Sequence, residues 1–294
     1  MKKMRVGSRE STLAVAQAEL VLSAIRRYDP SIQLELVTMK TTGDRYLNTP
    51  LQQMGGKSVF IKELEQALLD GLVDICVHSL KDMAVDIDPR LPICAVGERE
   101  DPRDVLLLPD GMDDIPADRP IGSCSRRRTL QLKEIYPGYE MEPVRGNILT
   151  RMEKLAQGQY GALVLAAAGL KRLGLQGRIS RYFTTEQIIP ACGQGIIAVQ
   201  ARKGEQIEYL KGFHSDRSWD MALAERAFVG VLDGGCSSPA TAYARIEGDE
   251  LMLTGYAVDR DGQMVPGSIR GPRNRAEQLG AELGATLKRE AGKQ

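Results

Sequence analysis

The sequence predicts an α/β protein made of two α/β lobes followed by a smaller α+β unit. Three observations predict this. Short apolar runs of strand type alternate with segments of helical periodicity as far as Gln200. A glycine-rich crossover, Pro190-Ala191-Cys192-Gly193-Gln194-Gly195, precedes a strand run from Ile196 to Gln200 that can return to the first unit, the double crossing used by two-lobed binding clefts. From Ser218 the style changes to one helix, consecutive strands and a closing helix, which is the economical pattern of an added α+β domain.

The elements follow in order. Met4 to Gly7 reads as a strand, and Ser11-Thr12 caps a helix with apolar residues Leu13, Ala16, Leu20 and Ile25, ending near Asp29-Pro30. Ile32 to Met39 alternates as a strand, Phe60 to Leu69 is an amphipathic helix, and Asp74 to His78 is a buried-type strand. Between them Gly43 to Ser58 is polar and long for a connection, a candidate lid with Phe60 at its hinge. The second unit has strands at Asp104 to Leu108 and Pro120 to Gly122 and a helix over Thr129 to Ile135. A helix capped by Asn147 runs to Gln157, and a strand from Gly161 to Ala166 leads into Ala167 to Leu173. The last unit has a helix to Leu232, strands near Thr241 to Ile246 and Leu251 to Val258, and a helix from Asn274 to Arg289. The expected domains are 1–97 with 196–213, then 98–195, then 217–294.

Composition narrows the function. With 294 residues, 43% apolar and 27% charged, the chain is globular, neither fibrous nor disordered. Its 39 basic and 39 acidic side chains cancel, so there is no overall field for nucleic acid or a membrane, and any anion site has to come from local arginines. Five scattered cysteines without CxxC spacing fit a reducing cytoplasm, and no signal-length or membrane-spanning apolar run is present. His78 and His214 are the two histidines, and neither has a partner at zinc-binding spacing.

Cationic and hydroxyl donors cluster where strands give way to loops or helices: Ser8 to Ser11, His78 to Asp82, Ser123 to Arg128 and Arg145 to Asn147. In an open α/β sheet such ends converge on one crevice, so these donors can surround one polyanion. Arg9, Arg127, Arg128, Arg145, Arg151 and Arg172 suit planar carboxylate or phosphate groups, and Lys81 adds a point charge. For each arginine the bland alternative is a solvated surface charge. Asp82 opposes an anion, which makes sense if the reaction generates a cation needing stabilisation and a proton acceptor; the alternative is pairing with Lys81 or capping of the next turn. His78 reads as a hydrogen-bonded structural residue. Cys236, after Gly234-Gly235, is an accessible thiol, whereas Cys76, Cys94, Cys124 and Cys192 read as small packing residues.

These residues carry a resemblance to a known family. Ser8-Arg9-Glu10-Ser11, Thr42-Gly43-Asp44, Gly55-Gly56-Lys57 and Val77-His78-Ser79-Leu80-Lys81-Asp82 all contribute, with Glu98-Arg99-Glu100-Asp101-Pro102-Arg103-Asp104. So do Arg145-Gly146-Asn147, Ala168-Gly169-Leu170, Gly193-Gln194-Gly195, Ala224-Glu225-Arg226 and Gly234-Gly235-Cys236. In this order, over nearly the whole chain, they resemble the porphobilinogen deaminase (hydroxymethylbilane synthase) family. The resemblance implies two domains like the type II periplasmic binding proteins plus a third bearing a cofactor loop. It implies head-to-tail condensation of four porphobilinogen molecules, with release of ammonia, to hydroxymethylbilane, which passes to uroporphyrinogen-III synthase. Priming would use a dipyrromethane cofactor bound through a thioether to Cys236, and the enzyme would be a cytoplasmic monomer. Asp82 then matches the catalytic carboxylate. Lys81, Ser123, Ser125, Arg127, Arg128, Arg145 and Gly146 match cofactor-binding positions, and Arg9, Ser11, Ser79, Arg151 and Arg172 match substrate-binding ones.

Departures from the commoner family pattern are local. Gly122-Ser123-Cys124-Ser125-Arg126 stands where Gly-Thr-Ser-Ser-Leu is more usual, Ser58-Val59 replaces Gly-Leu, and Ser237-Ser238 replaces Gln-Val. Met83-Ala84 replaces a frequent Val-Pro after Asp82 and removes a rigid φ constraint beside it. Two other classes compete with this reading. A non-catalytic two-lobed anion-binding protein explains the arginines but needs neither Asp82 nor Cys236. A thiol enzyme using Cys236 has no histidine at a partner motif.

Overall fold

The computed structural model describes residues 3–41, 61–232 and 239–293. Parallel pairing organises the start of the chain. β1 (Lys3–Arg9) lies between β2 (Gln33–Met39) and β3 (Ile75–Ser79), parallel to both, with Val6 opposite Leu36 and Ile75. Helix α1 (Thr12–Tyr28) and helix α2 (Lys62–Leu69) supply the crossovers. Such a sheet is covered on both faces, which is why β3 reads as the unbroken run Ile75 to His78, all four buried. Beyond β3 the sheet continues through β10 (Ile197–Ala201) to β4 (Ile93–Val96), with β10 antiparallel to each neighbour. The order is β2-β1-β3-β10-β4.

The second lobe repeats the plan. Its strands are β5 (Asp104–Leu107), β6 (Ile121–Gly122), β7 (Met141–Glu142), β8 (Ala162–Ala166) and β9 (Arg181–Tyr182), in the order β7-β6-β8-β5-β9. Helices α3 (Arg126–Ile135), α4 (Ile148–Ala156) and α5 (Ala167–Arg172) follow β6, β7 and β8. In each sheet the antiparallel strand is the one that has just crossed from the other lobe: β5 enters the second and β10 returns to the first. This exchange is the topology of the type II periplasmic binding proteins. The two crossovers touch at Gly195, whose φ is +88° and where any Cβ would clash with the carbonyl of Glu100, so both the conformation and the contact require glycine.

A smaller C-terminal domain completes the chain. Helix α6 (Asp216–Val231) leads to an antiparallel meander of β11 (Thr241–Glu247), β12 (Glu250–Val258) and β13 (Met264–Pro272), and α7 (Ala276–Ala291) packs beside α6 over the sheet. Gly280 and Gly284 bring α7 against the α6 backbone at Ala224 and Phe228. The domain is pinned at the hinge. Arg99 in one crossover donates to both oxygens of the buried Glu225 at 2.8 Å; Glu225 also accepts from Gly193 N in the other crossover and from Ala244 N of β11, each at 2.7 Å. Thr241 adds a bond to the Pro190 carbonyl at 2.7 Å.

Three differences from the expected elements have physical reasons. α3 starts at Arg126, not Thr129, because Ser125 is its N-cap, with Oγ accepting from Arg128 N at 3.4 Å. The Ile93–Val96 strand follows Pro92 and is only four residues long, too short for its pattern to show. β13 was hidden by Pro266, Gly267 and Gly271; as an edge strand paired only with β12, it tolerates a residue that cannot donate.

Candidate active site

The strand ends deliver the site. β3 runs into a 3-10 turn over Leu80–Asp82, Leu80 N donates to the Ile196 carbonyl at 3.0 Å, and Leu80 is buried while Lys81 and Asp82 are half-buried. Across the cleft, β6 ends at Gly122 and the chain turns through Ser123, Cys124 and Ser125 into α3. Ser123 is buried; its Oγ accepts from Ser125 N at 3.3 Å and its N–H donates to the Glu142 carbonyl at 2.8 Å. The Cys124 thiol, expected to pack, is exposed and donates to the Val144 carbonyl at 2.9 Å, because it lies at the open tip of this turn.

Arg127 and Arg128 point inward, onto Asp104 at the head of β5. Arg127 Nη2 reaches Asp104 Oδ2 at 2.7 Å and its Nη1 reaches the Ile189 carbonyl at 2.6 Å. Arg128 donates to Asp104 Oδ1 from Nε at 2.9 Å and Nη2 at 2.7 Å, and from Nη1 to the Val164 carbonyl at 3.1 Å. Burial alone would raise the Asp104 carboxyl; Arg127 and Arg128, with hydrogen bonds from Arg128 and Gln194, hold it far below the usual carboxylate range. Burial pushes the Arg127 guanidinium down, and Asp104 opposes that. A buried carboxylate so placed fixes two arginines in one orientation before any ligand arrives.

Gln194 extends this network between lobes. Its Nε2 donates to Asp104 Oδ1 at 2.9 Å and to the Pro102 carbonyl at 2.7 Å, which turns Oε1 toward Lys81 Nζ at 3.4 Å. Burial drives the Lys81 ammonium down to about 8, Asp82 and Asp104 pull it up, and Arg128 and Arg127 repel it. Arg151 is lowered by burial and by Arg128 and Arg145, with Cys124 and Asp82 opposing. Lys81, Asp82, Arg127, Arg128, Arg145 and Arg151 therefore form one electrostatic unit in which cations outnumber carboxylates. Asp82 carries no hydrogen bond to its carboxylate among the described residues.

The other expected site residues sit around this unit. Gly146 has φ +114°, and a Cβ there would clash with Thr150, so the turn that presents Arg145 requires glycine; the Gly146 carbonyl accepts from Arg151 Nε at 2.9 Å. Arg172, at the end of α5, donates to the Gly195 carbonyl at 2.6 Å, and burial pushes it down to about 10 against the pull of Glu100. Arg9 closes β1, near enough to His78 to repel its charged form. Ser11 caps α1, accepting from Ala14 N at 3.3 Å, and Ser79 Oγ accepts from Gln17 Nε2 at 2.9 Å. Burial holds the His78 imidazole at about 4, with nearby Gln200 opposing, so it is a neutral structural residue, and its buried Nε2 has no hydrogen-bond partner among the described residues. Burial also raises the Cys76 thiol and pushes Cys94 up to about 12. Cys236, Phe60 and the segment 43–58 lie outside the described residues. Asp104 and Gln194 were missed as site residues. Their signals were present: a carboxylate opening an otherwise apolar strand, and an amide between two glycines.

Strand exchange between two lobes, a cationic unit around one carboxylate that has no hydrogen-bond partner among the described residues, and an appended C-terminal domain define a two-lobed cleft protein with a cationic cleft. Comparison with known proteins gives the family. Residues 4–208 match the family model for the porphobilinogen deaminase dipyromethane cofactor binding domain, and residues 219–289 match that for the porphobilinogen deaminase C-terminal domain. Porphobilinogen deaminase of Acetivibrio thermocellus is 56% identical over 281 residues, covering 96% of each chain. That of Alkaliphilus oremlandii is 54% identical over 288 residues, covering 98% of this chain and 97% of its own. The chain belongs to the porphobilinogen deaminase family, the hydroxymethylbilane synthases, transferases of tetrapyrrole biosynthesis that carry a dipyrromethane cofactor.

Proposed function

We propose that the cationic unit holds the carboxylates of pyrrole rings while Asp82 performs the proton and charge chemistry of each condensation. The observation that carries this is Asp82 itself, a carboxylate without a hydrogen-bond partner among the described residues, set between Lys81 of the first lobe and Arg151 of the second. Porphobilinogen brings an acetate and a propionate on every ring, so a growing chain accumulates negative charge. Arginines already fixed by Asp104 and by backbone carbonyls receive that charge with defined orientation.

The donor set fits dipyrromethane: cations exceed carboxylates beside Asp82, and the buried Arg127 Nε has no partner among the described residues. Lys81, Ser123, Ser125, Arg127, Arg128, Arg145 and Gly146 would hold it, with Cys236 as its covalent anchor. When bound it supplies the free pyrrole α-carbon to which the first unit is joined, each later unit joining the pyrrole added before it. As ammonia leaves porphobilinogen, the Asp82 carboxylate stabilises the positive charge growing on the pyrrole nitrogen, and it accepts the proton lost from the coupling carbon. Arg9, Ser11, Ser79, Arg151 and Arg172 orient the incoming ring.

The proposed domains are 1–97 with 196–213, 98–195 and 217–294. The enzyme works as a cytoplasmic monomer and hands hydroxymethylbilane to uroporphyrinogen-III synthase. No helix among the described residues is long and apolar enough to cross a membrane. Intact mass, with peptide mapping around Cys236, tests the assignment. The parent protein, incubated with porphobilinogen, is expected to carry a dipyrromethane on Cys236 and to release ammonia, and Cys236→Ser to carry none. A fully loaded serine variant contradicts it.

A further inference from the structure

The loop after Asp82 is fastened by the C-terminal domain. One nitrogen of Arg226, Nη2, donates to two successive carbonyls, Ala84 O and Val85 O, each at 2.7 Å. Arg226 lies on α6, and the same face contacts the loop above and below it. Trp219 and Ala222 share an apolar cluster with Leu80 and Met83, the residues flanking Lys81 and Asp82. Four residues beyond Arg226, the Cβ position of Gly230 lies 3.3 Å from Val85 Cγ1, and Val85 packs on the core of the C-terminal domain. Positions 219, 222, 226 and 230 recur at helical spacing, so a single stripe of α6 holds residues 80–85.

This stripe bears on a departure in the sequence. Ala84 stands where proline is frequent in the family, so the chain lacks a built-in φ restraint two residues after Asp82. We infer that Arg226 is a positioning residue on which this chain, without that proline, depends: by binding the Ala84 and Val85 carbonyls it holds the turn that aims Asp82 into the cleft. The inference rests on the reading of Asp82 as the reacting carboxylate. The same helix ends at Val231, before the segment that contains Cys236.

The backbone offers a rescue that separates positioning from general stability. Met83 has φ −80° and ψ 145°, the extended conformation that a residue preceding proline prefers, and the Ala84 N–H donates no hydrogen bond among the described residues. Ala84→Pro therefore costs no hydrogen bond among the described residues and suits the residue before it, and it is expected to restore rigidity without Arg226. The experiment measures kcat and KM for porphobilinogen in Arg226→Met, Arg226→Lys, Arg226→Met/Ala84→Pro and Asp82→Glu, each first shown by intact mass to carry the cofactor. Arg226→Met is expected to lower kcat about 10- to 100-fold with little change in KM, since displacement of a reacting group by about 1 Å is worth that much. Arg226→Lys, which keeps a donor, should fall between, and Ala84→Pro should recover most of the loss. If Asp82→Glu fails to turn over while Arg226→Met keeps parental kcat, or loses it with no recovery by Ala84→Pro, the positioning role is overturned and the Asp82 reading stands. If Asp82→Glu turns over normally, the Asp82 reading falls, and this inference with it. Should Arg226→Met not fold, the lysine variant with and without Ala84→Pro gives the same contrast.

Discussion

In both sheets the second strand in the order runs into a helix capped by serine: β1 enters α1 through Ser11, and β6 enters α3 through Ser125. The two helix starts differ in what they carry. Beneath α1, the buried Gln17 meets Ser79, a neutral pair of amide and hydroxyl. Beneath α3, Arg127 and Arg128 close on Asp104. The third strands differ in the opposite sense, since β3 ends in Lys81 and Asp82 whereas β8 leads to Arg172. One topology thus yields a second lobe whose arginines are fixed in advance on Asp104, and a first lobe that contributes Asp82, a carboxylate without a hydrogen-bond partner among the described residues. The proposed mechanism needs that asymmetry, because a carboxylate paired in advance could not answer a transient cation.

Removing the neutralising charge of the second lobe should break the comparison most severely. Asp104→Asn leaves Arg127 and Arg128 buried without their counter-ion, and loss of one partner from a buried pair costs about 3–5 kcal/mol. Urea unfolding should show that loss; a variant as stable as the parent would mean the arginines are not held by Asp104.

The first lobe has its own buried titratable group in His78. Its folded value of about 4 lies below the unfolded 6.5, so between these pH values the unfolded chain binds a proton that the folded chain does not. Stability should therefore fall as pH drops from 6.5 toward 4, by on the order of 3 kcal/mol from this group, and no further below that from it. His78→Asn should flatten that limb, and an unchanged acid profile would remove His78 as its source.

A smaller effect is expected at Lys81. Its charge is lost as pH rises through about 8 in the free enzyme, which weakens the first lobe's hold on carboxylates. The fall should appear in kcat/KM, which reports the free enzyme. Lys81→Arg keeps the charge at alkaline pH and should move that limb upward; an unmoved limb would assign it to another group. Smallest of all, Arg151→Lys should raise KM with the melting temperature nearly unchanged, because Arg151 is only half-buried and its side chain donates to a single carbonyl, that of Gly146, among the described residues.

The same contrast explains what was legible in the sequence. The start of α1 could be read because Ser11 precedes a regular apolar stripe, and β3 because buried parallel strands are continuous apolar runs. The start of α3 could not. Three arginines in a first turn oppose the helix dipole and look like a loop, and only Asp104, distant in sequence until β5 and α3 pack, makes that turn favourable. The site divides the same way: strand-end donors could be found from motif and spacing, whereas the bridge from Asp104 through Gln194 to Lys81 joins residues up to 113 positions apart and exists only in the fold. The clamp of Arg226 on the Asp82 loop, across 142 and 141 positions, was hidden for the same reason.

The most direct test is turnover by Asp82→Glu protein whose intact mass confirms a full dipyrromethane on Cys236. Keeping the charge but moving it by a methylene should leave the cofactor in place and reduce hydroxymethylbilane formation about 100-fold or more, since the reacting groups no longer meet. Parental rates from that loaded variant would show that Asp82 is not the carboxylate on which the chemistry turns.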